Sequence, residues 1–209
     1  MPFEPKVVAS ADVVREEPAH ARVDTGAIAR AVGDILRAIG EDPTRTGLVD
    51  TPRRVAESYG ELFGGYAVDP VSVLEALPGE RGEGLIMVRD IALTSICEHH
   101  LLPFTGTAAV AYLPGADGRI CGLSKLARLI EVLSRRLQVQ ERLVRETADA
   151  LETALTPRGV FVLVEAEHLC MSARGAHVPG STTVTTEARG VFAADPAART
   201  ELIALARGT

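Results

Sequence analysis

The chain has no surplus of positive charge, no apolar run long enough to span a bilayer, and only three cysteines in 209 residues. Each shortage removes a class of protein. With 22 Lys and Arg against 28 Asp and Glu, the formal net charge of -6 runs opposite to the basic stripe that a nucleic-acid backbone demands. We therefore expect no nucleic-acid partner. A small anionic substrate stays open, because it needs only a few converging Lys and Arg side chains. Without a stretch of about 20 apolar residues no membrane helix is expected. The opening Met1-Pro2-Phe3-Glu4-Pro5-Lys6 also lacks a positive segment followed by an apolar one, so we expect a cytoplasmic protein. Cys97, Cys121 and Cys170 are odd in number and widely spread, which suits metal or redox chemistry better than a disulfide framework.

What is present suffices for one domain: 46% of residues are hydrophobic, enough to bury a full core. Residues 1–23 mix Pro, Glu, Ala and Val without a period and read as a flexible arm; residues 24–83 read as a helical region. Ile28, Val32, Ile35, Leu36 and Ile39 form a helical stripe that ends at Gly40, and Thr51-Pro52 supplies a cap and first turn for a second helix to about Phe63. From Gly84 the period becomes strand-like. Residues 85–93 suit one strand and 106–113 the next, joined as a hairpin; helices follow from a Ser124 N-cap and along Val139, Leu143, Leu151 and Ala154. Val160 to Cys170 and Ser181 to Phe192 suit two more strands. The order strand, strand, helix, helix, strand, strand over residues 84–209, closed by a C-terminal helix, predicts an α+β domain: a four-stranded antiparallel sheet with two helices on one face.

The residues that carry chemistry fall at strand ends. Cys97-Glu98-His99-His100 offers a thiolate and an imidazole at a spacing one metal can bridge. His168 and Cys170, two apart on a predicted strand, are expected to share the face of Val160, Val162, Val164 and Ala166. Cys97, His100 and Cys170 make a three-ligand set, which leaves a fourth position for water as catalytic zinc requires. His99 and His168 are then candidate acid-base groups. Spacing alone fits a structural zinc or a redox pair of Cys97 and Cys170 as well.

Several ordered blocks narrow the choice: C-E-H-H-L-L-P-F at 97–104, G-L-S-K-L-A-R at 122–128, R-R-L-Q-V-Q-E-R-L at 135–143, E-A-E-H-L-C-M at 165–171 and A-R-G at 173–175, with E-D-P-T-R-T-G-L-V-D-T-P-R-R-V-A at 41–56. Together they resemble the GTP cyclohydrolase I family, over residues 25 to about 205. The resemblance implies a tunnelling-type (T-fold) domain in a homo-oligomer, a toroidal decamer with active sites between subunits. It implies one zinc per subunit on Cys97, His100 and Cys170, and zinc-activated water attacking C8 of GTP. His168 and His99 would transfer protons as formate leaves and the ribose rearranges to 7,8-dihydroneopterin triphosphate, the first step of reduced pterin and folate synthesis. Glu141 is expected to read guanine with Gln140 beside it, and Ser124, Lys125, Arg128, Arg174 and Arg54 to hold the triphosphate.

Two positions depart from common family patterns. Glu57 stands where some members carry a Lys that contacts the triphosphate from a neighbouring subunit, and Thr107 replaces a frequent Lys. Both remove positive charge. They keep open the same chemistry on a modified purine nucleotide; a catalytically idle member kept for assembly or regulation is the other alternative. Cys121 reads as packing.

Overall fold

The carboxylate of Asp24 accepts a hydrogen bond from the Ala27 backbone N–H at 2.8 Å, and this cap starts α1 (Thr25–Ala38). The computed structural model describes residues 23–79 and 84–208; all but the last residue of the expected arm at 1–23 lies outside them. The face of α1 that turns inward is centred on Gly33 and Leu36. Ile35 and Ile39, expected on the buried stripe, are 58% and 69% exposed. The partner of α1 is α2 (Thr51–Leu62), whose N-cap is Asp50, with Thr51 and Pro52 already inside the first turn.

A 3-10 turn (Gly64–Ala67), the short helix α3 (Pro70–Val73) and β1 (Ala76–Pro78) follow α2. Then come β2 (Ile86–Cys97), β3 (Pro103–Leu113), β4 (Arg119–Cys121), α4 (Leu123–Ser134), β5 (Leu137–Gln138) and α5 (Gln140–Leu155). The chain closes with β6 (Gly159–His168), α6 (Leu169–Ser172), β7 (Thr183–Gly190), α7 (Val191–Ala194) and α8 (Pro196–Arg207). The cap of α4 is Gly122, not Ser124, which sits one residue inside the helix. Val139 likewise caps α5 in extended conformation instead of lying on its stripe.

The main sheet has the order β5-β2-β3-β6-β7, while β1 pairs with β4. Four strands are antiparallel as expected. The sheet has a fifth because Leu137 and Gln138 pair in parallel with Ile96 and Cys97, too short a contact for sequence periodicity to signal. A register shift between Val88 and Ile91, with Asp90 at φ 58°, lets β2 run as one strand.

On one face of the sheet, Leu126, Leu129, Ile130 and Leu133 of α4 and Leu143, Leu151 and Leu155 of α5 pack against Phe104, Val110, Val160, Val162 and Val164. This is the expected α+β arrangement, with two helices between strand pairs packed on one face. The opposite face is covered in part by Phe192, Leu202 and Ala206 over Ala109, Ala111, Phe161 and Leu163. Among the described residues no strand pairs with the outer edge of β7, or with the outer edge of β2 before Ile96. No described helix is long and apolar enough to cross a membrane.

Candidate active site

β2 ends at Cys97 and the chain reverses in a tight turn. Cys97 N–H donates to Leu102 O at 2.9 Å, and Leu101 N–H to Cys97 O at 2.9 Å. Leu101 adopts φ 53°, a left-handed geometry that costs a non-glycine residue free energy and marks a constrained site. The turn folds His100 back over Cys97, whose Sγ lies 3.8 Å from His100 Nδ1. Cys170 arrives from the end of β6, but by a route different from that expected. The strand stops at His168, and Cys170 belongs to the single helical turn α6, so strand alternation does not relate the two side chains.

The ligand atoms of Cys97, His100 and Cys170 all lie within 4.8 Å of one another. Burial first, and the Cys97 sulfur next, push the Cys170 thiol up. Two sulfurs and an imidazole nitrogen crowded together are the donor set that a divalent cation stabilises as thiolates. Tetrahedral zinc, with bonds of about 2.3 Å to sulfur and about 2.0 Å to nitrogen, spaces its ligands about 3.5–3.8 Å apart. The set therefore fits one zinc ion with a position left over.

His168 stacks on Phe104, its register partner in β3, with ring centroids 4.6 Å apart and planes 9° from parallel. Its Nε2 lies 2.8 Å from Gln140 Oε1. The Gln140 amide nitrogen donates to Val164 O at 3.0 Å and Thr183 O at 2.9 Å, and lies 3.0 Å from Thr185 Oγ1. Those carbonyls orient the amide, so its oxygen accepts from His168 and the neutral ring keeps its proton on Nε2. Burial pulls the His168 pKa down, against a smaller upward pull from Glu141. Gln140, expected beside guanine, is 1% exposed: it braces His168 from behind, while Glu141 in the same helical turn is exposed.

The turn carries a second layer that sequence reasoning missed. Arg142 Nη1 donates to Glu98 Oε2 at 2.6 Å, and Glu98 Oε1 lies 3.7 Å from His99 Nε2. The Arg142 hydrogen bond is the main cause that holds the Glu98 carboxyl below its usual range. Arg174 Nη1 lies 3.5 Å from His100 Nε2, placing one expected phosphate contact beside the metal set. Both Glu98 and Arg142 lie inside the quoted motif blocks, but their pairing across 44 positions needs the fold.

The other expected phosphate residues lie elsewhere. Ser124, Lys125 and Arg128 line an open groove with Ile91, Ala92 and Glu131. Ala92 is five residues before Cys97 on β2, about 17 Å along a strand. Arg128 is paired with Glu131 at 2.5 Å and Arg54 with Asp50 at 3.1 Å. Glu57 takes both of its contacts from Arg53 Nη1, at 2.8 and 2.9 Å. Thr107 lines a small cleft of about 170 Å³ with Asp90, Glu165 and Arg207. Cys121 is buried in the main core, its N–H donating to Tyr112 Oη at 3.1 Å, as a packing role requires.

The family model of GTP cyclohydrolase I matches residues 28–207. GTP cyclohydrolase 1 of Caldanaerobacter subterraneus subsp. tengcongensis is 53% identical over 183 residues, 88% of this chain and 97% of that protein. The protein of the same name from Thermobifida fusca is 52% identical over 190 residues, 91% of this chain and 92% of its own. That of Mycobacterium tuberculosis (strain ATCC 25618 / H37Rv) is 53% identical over 175 residues, covering 84% and 87%.

Proposed function

The chain belongs to the GTP cyclohydrolase I family, and on that premise we propose that it is a zinc-dependent cytoplasmic enzyme converting GTP to 7,8-dihydroneopterin triphosphate and formate, at the entry to reduced pterin and folate synthesis. The observation that carries this reading is the convergence of the ligand atoms of Cys97, His100 and Cys170 within 4.8 Å of one another.

Cys97 Sγ, His100 Nδ1 and Cys170 Sγ would hold one zinc ion per subunit. When bound, zinc supplies Lewis-acid activation, making hydroxide available near neutral pH, where free water is a poor nucleophile. The chain's own residues do the rest. Glu141 reads guanine, since one carboxylate accepts from the ring N–H and the exocyclic amine together. His168, its Nε2 proton committed to Gln140, offers Nδ1 as the open basic position, and burial keeps the ring neutral and able to accept a proton. His99, exposed on the turn, would make the second transfer, to the leaving nitrogen or ribose oxygen. Phe104 covers one face of His168 and excludes water there.

Lys125, Arg128, Arg174 and Arg54, with Ser124, supply the charge for a triphosphate. Since the Ser124 group stands about 17 Å along β2 from Cys97, we infer that the phosphate group of one copy completes the metal group of a neighbour. The outer edges of β7 and of β2 before Ile96, with which no strand pairs among the described residues, give such a homo-oligomer a means of assembly, with the decamer as the form implied by the resemblance. A second reading, the same chemistry on a modified purine nucleotide, draws on Glu57, which places a carboxylate on α2 and engages Arg53.

Metal-depleted and zinc-restored protein, assayed with GTP and other purine nucleotides for formate and pterin chromophore together, tests both readings. Both products should appear from GTP only with zinc and vanish in Cys170→Ser. Zinc binding without either product from GTP would overturn the assignment, and turnover of another nucleotide would favour the second reading.

A further inference from the structure

Three consecutive residues at the start of α5 serve three parts of the site. Gln140 braces His168, Glu141, assigned above to guanine, is exposed, and Arg142 reaches across to the turn after β2. We propose that Glu98 and Arg142 are a positioning pair that locks the turn carrying His99 and His100 to the first turn of α5. The proposal rests on the catalytic reading above.

Glu98 is held twice. Its backbone N–H donates to Gln138 O at 3.0 Å, and one carboxylate oxygen takes the 2.6 Å bond from Arg142. The other oxygen faces His99 at 3.7 Å. Arg142 Nη1 is also 3.5 Å from Leu137 O, so one guanidinium touches both the turn and the short strand that pairs with Cys97. The pair is about two-thirds covered, with side chains 31% and 29% exposed, unlike the surface pair Arg37–Asp34 at 63% and 77%. Anchoring α5 does not require it, because Leu143, Val144 and Leu151 already bury that helix. What the pair adds is a fixed distance between the metal ligands and the residues assigned to guanine and His168. Groups that orient metal ligands without touching the metal tune both its retention and its activity.

The test compares zinc-loaded, full-length wild type with Glu98→Gln, Arg142→Gln and the double variant. Steady-state kinetics with GTP and the rate of zinc release to a chromogenic chelator are the two readouts. Each single variant should lower kcat by about 10- to 100-fold with KM held within about threefold, and should speed zinc release. The double variant should be no worse than the poorer single one, because both changes remove one interaction. Arg142→Lys, which keeps the charge and loses the planar fork, should recover part of kcat. Glu98→Asp replaces Glu98→Gln if the latter fails to assemble. Losses that multiply in the double variant, or kcat and KM moving together with melting temperature while zinc release is unchanged, would overturn the proposal. Zinc release needs no GTP: were wild type inactive on GTP, the catalytic reading would fall, and an unchanged release rate would separately refute the pair.

Discussion

His168 Nε2 lies 2.8 Å from Gln140 Oε1, and the amide that holds it is itself fixed by the backbone carbonyls of Val164 and Thr183. One buried side chain thus sets which nitrogen of the histidine carries the proton and ties β6, β7 and α5 together behind it.

Gln140→Leu should expose the cost of losing that brace. The substitution removes the amide's hydrogen bonds to two carbonyls and to the imidazole, a loss of about 1–3 kcal/mol measurable by urea unfolding. It should also lower kcat by about 10-fold or more, read in steady-state assays with GTP.

Gly106→Ala should weaken the sheet next to the same histidine. A Cβ there would meet the Glu165 carbonyl oxygen and Ala166 Cα of β6, two pairs along from the Phe104–His168 register pair. Backbone cannot yield as a flexible side chain does, so a cost of about 1–3 kcal/mol is expected. Thermal and urea unfolding check it.

Burial pushes the Tyr112 phenol up to about 12 from an ordinary 10.0. A folded pKa above the unfolded one means that the unfolded chain releases its proton first as pH rises. The stabilising contribution is therefore full below pH 10 and declines between pH 10 and about 12. In a difference titration at the phenolate absorption band, wild type minus Tyr112→Phe should show a step only near pH 12. A step near pH 10 would show that the hydroxyl is solvated.

Glu57→Lys should remove both Glu57 contacts of Arg53, leaving its pair with Asp50, and replace a negative charge on α2 with a positive one. If this helix faces the triphosphate of a neighbouring copy, KM for GTP should fall several-fold at low salt with kcat little changed, and the gain should shrink as salt rises. An unchanged KM at all salt concentrations would remove α2 from the substrate site.

The sequence made the helices at 25–38, 51–62 and 140–155 and the hairpin legible because periodicity and caps are local. Cys97, His100 and Cys170 could be singled out because thiol and imidazole are scarce in this chain. The path to Cys170 was not legible: alternation through Val160, Val162, Val164 and Ala166 continues to His168, and nothing local says that the strand gives way to a helical turn there. Gln140 looked like a substrate contact because it precedes Glu141, and only the packing of β6 and β7 against α5 shows it enclosed. Glu98 and Arg142 were ordinary charges until the fold brought them to 2.6 Å.

The crowding of Gln140, Glu141 and Arg142 into one helical turn also governs how this gene can tolerate change. Each residue of an α-helix is rotated about 100° from the last, so a single inserted or deleted codon between Gln138 and Gln140 would swing all three partnerships out of alignment at once. The exposed stretch around Ala116 and Asp117 between β3 and β4 lies in no helix, and its Asp117–Arg119 pair is local to the turn. In a library of one-codon insertions, surviving clones should accumulate there and be missing at the start of α5.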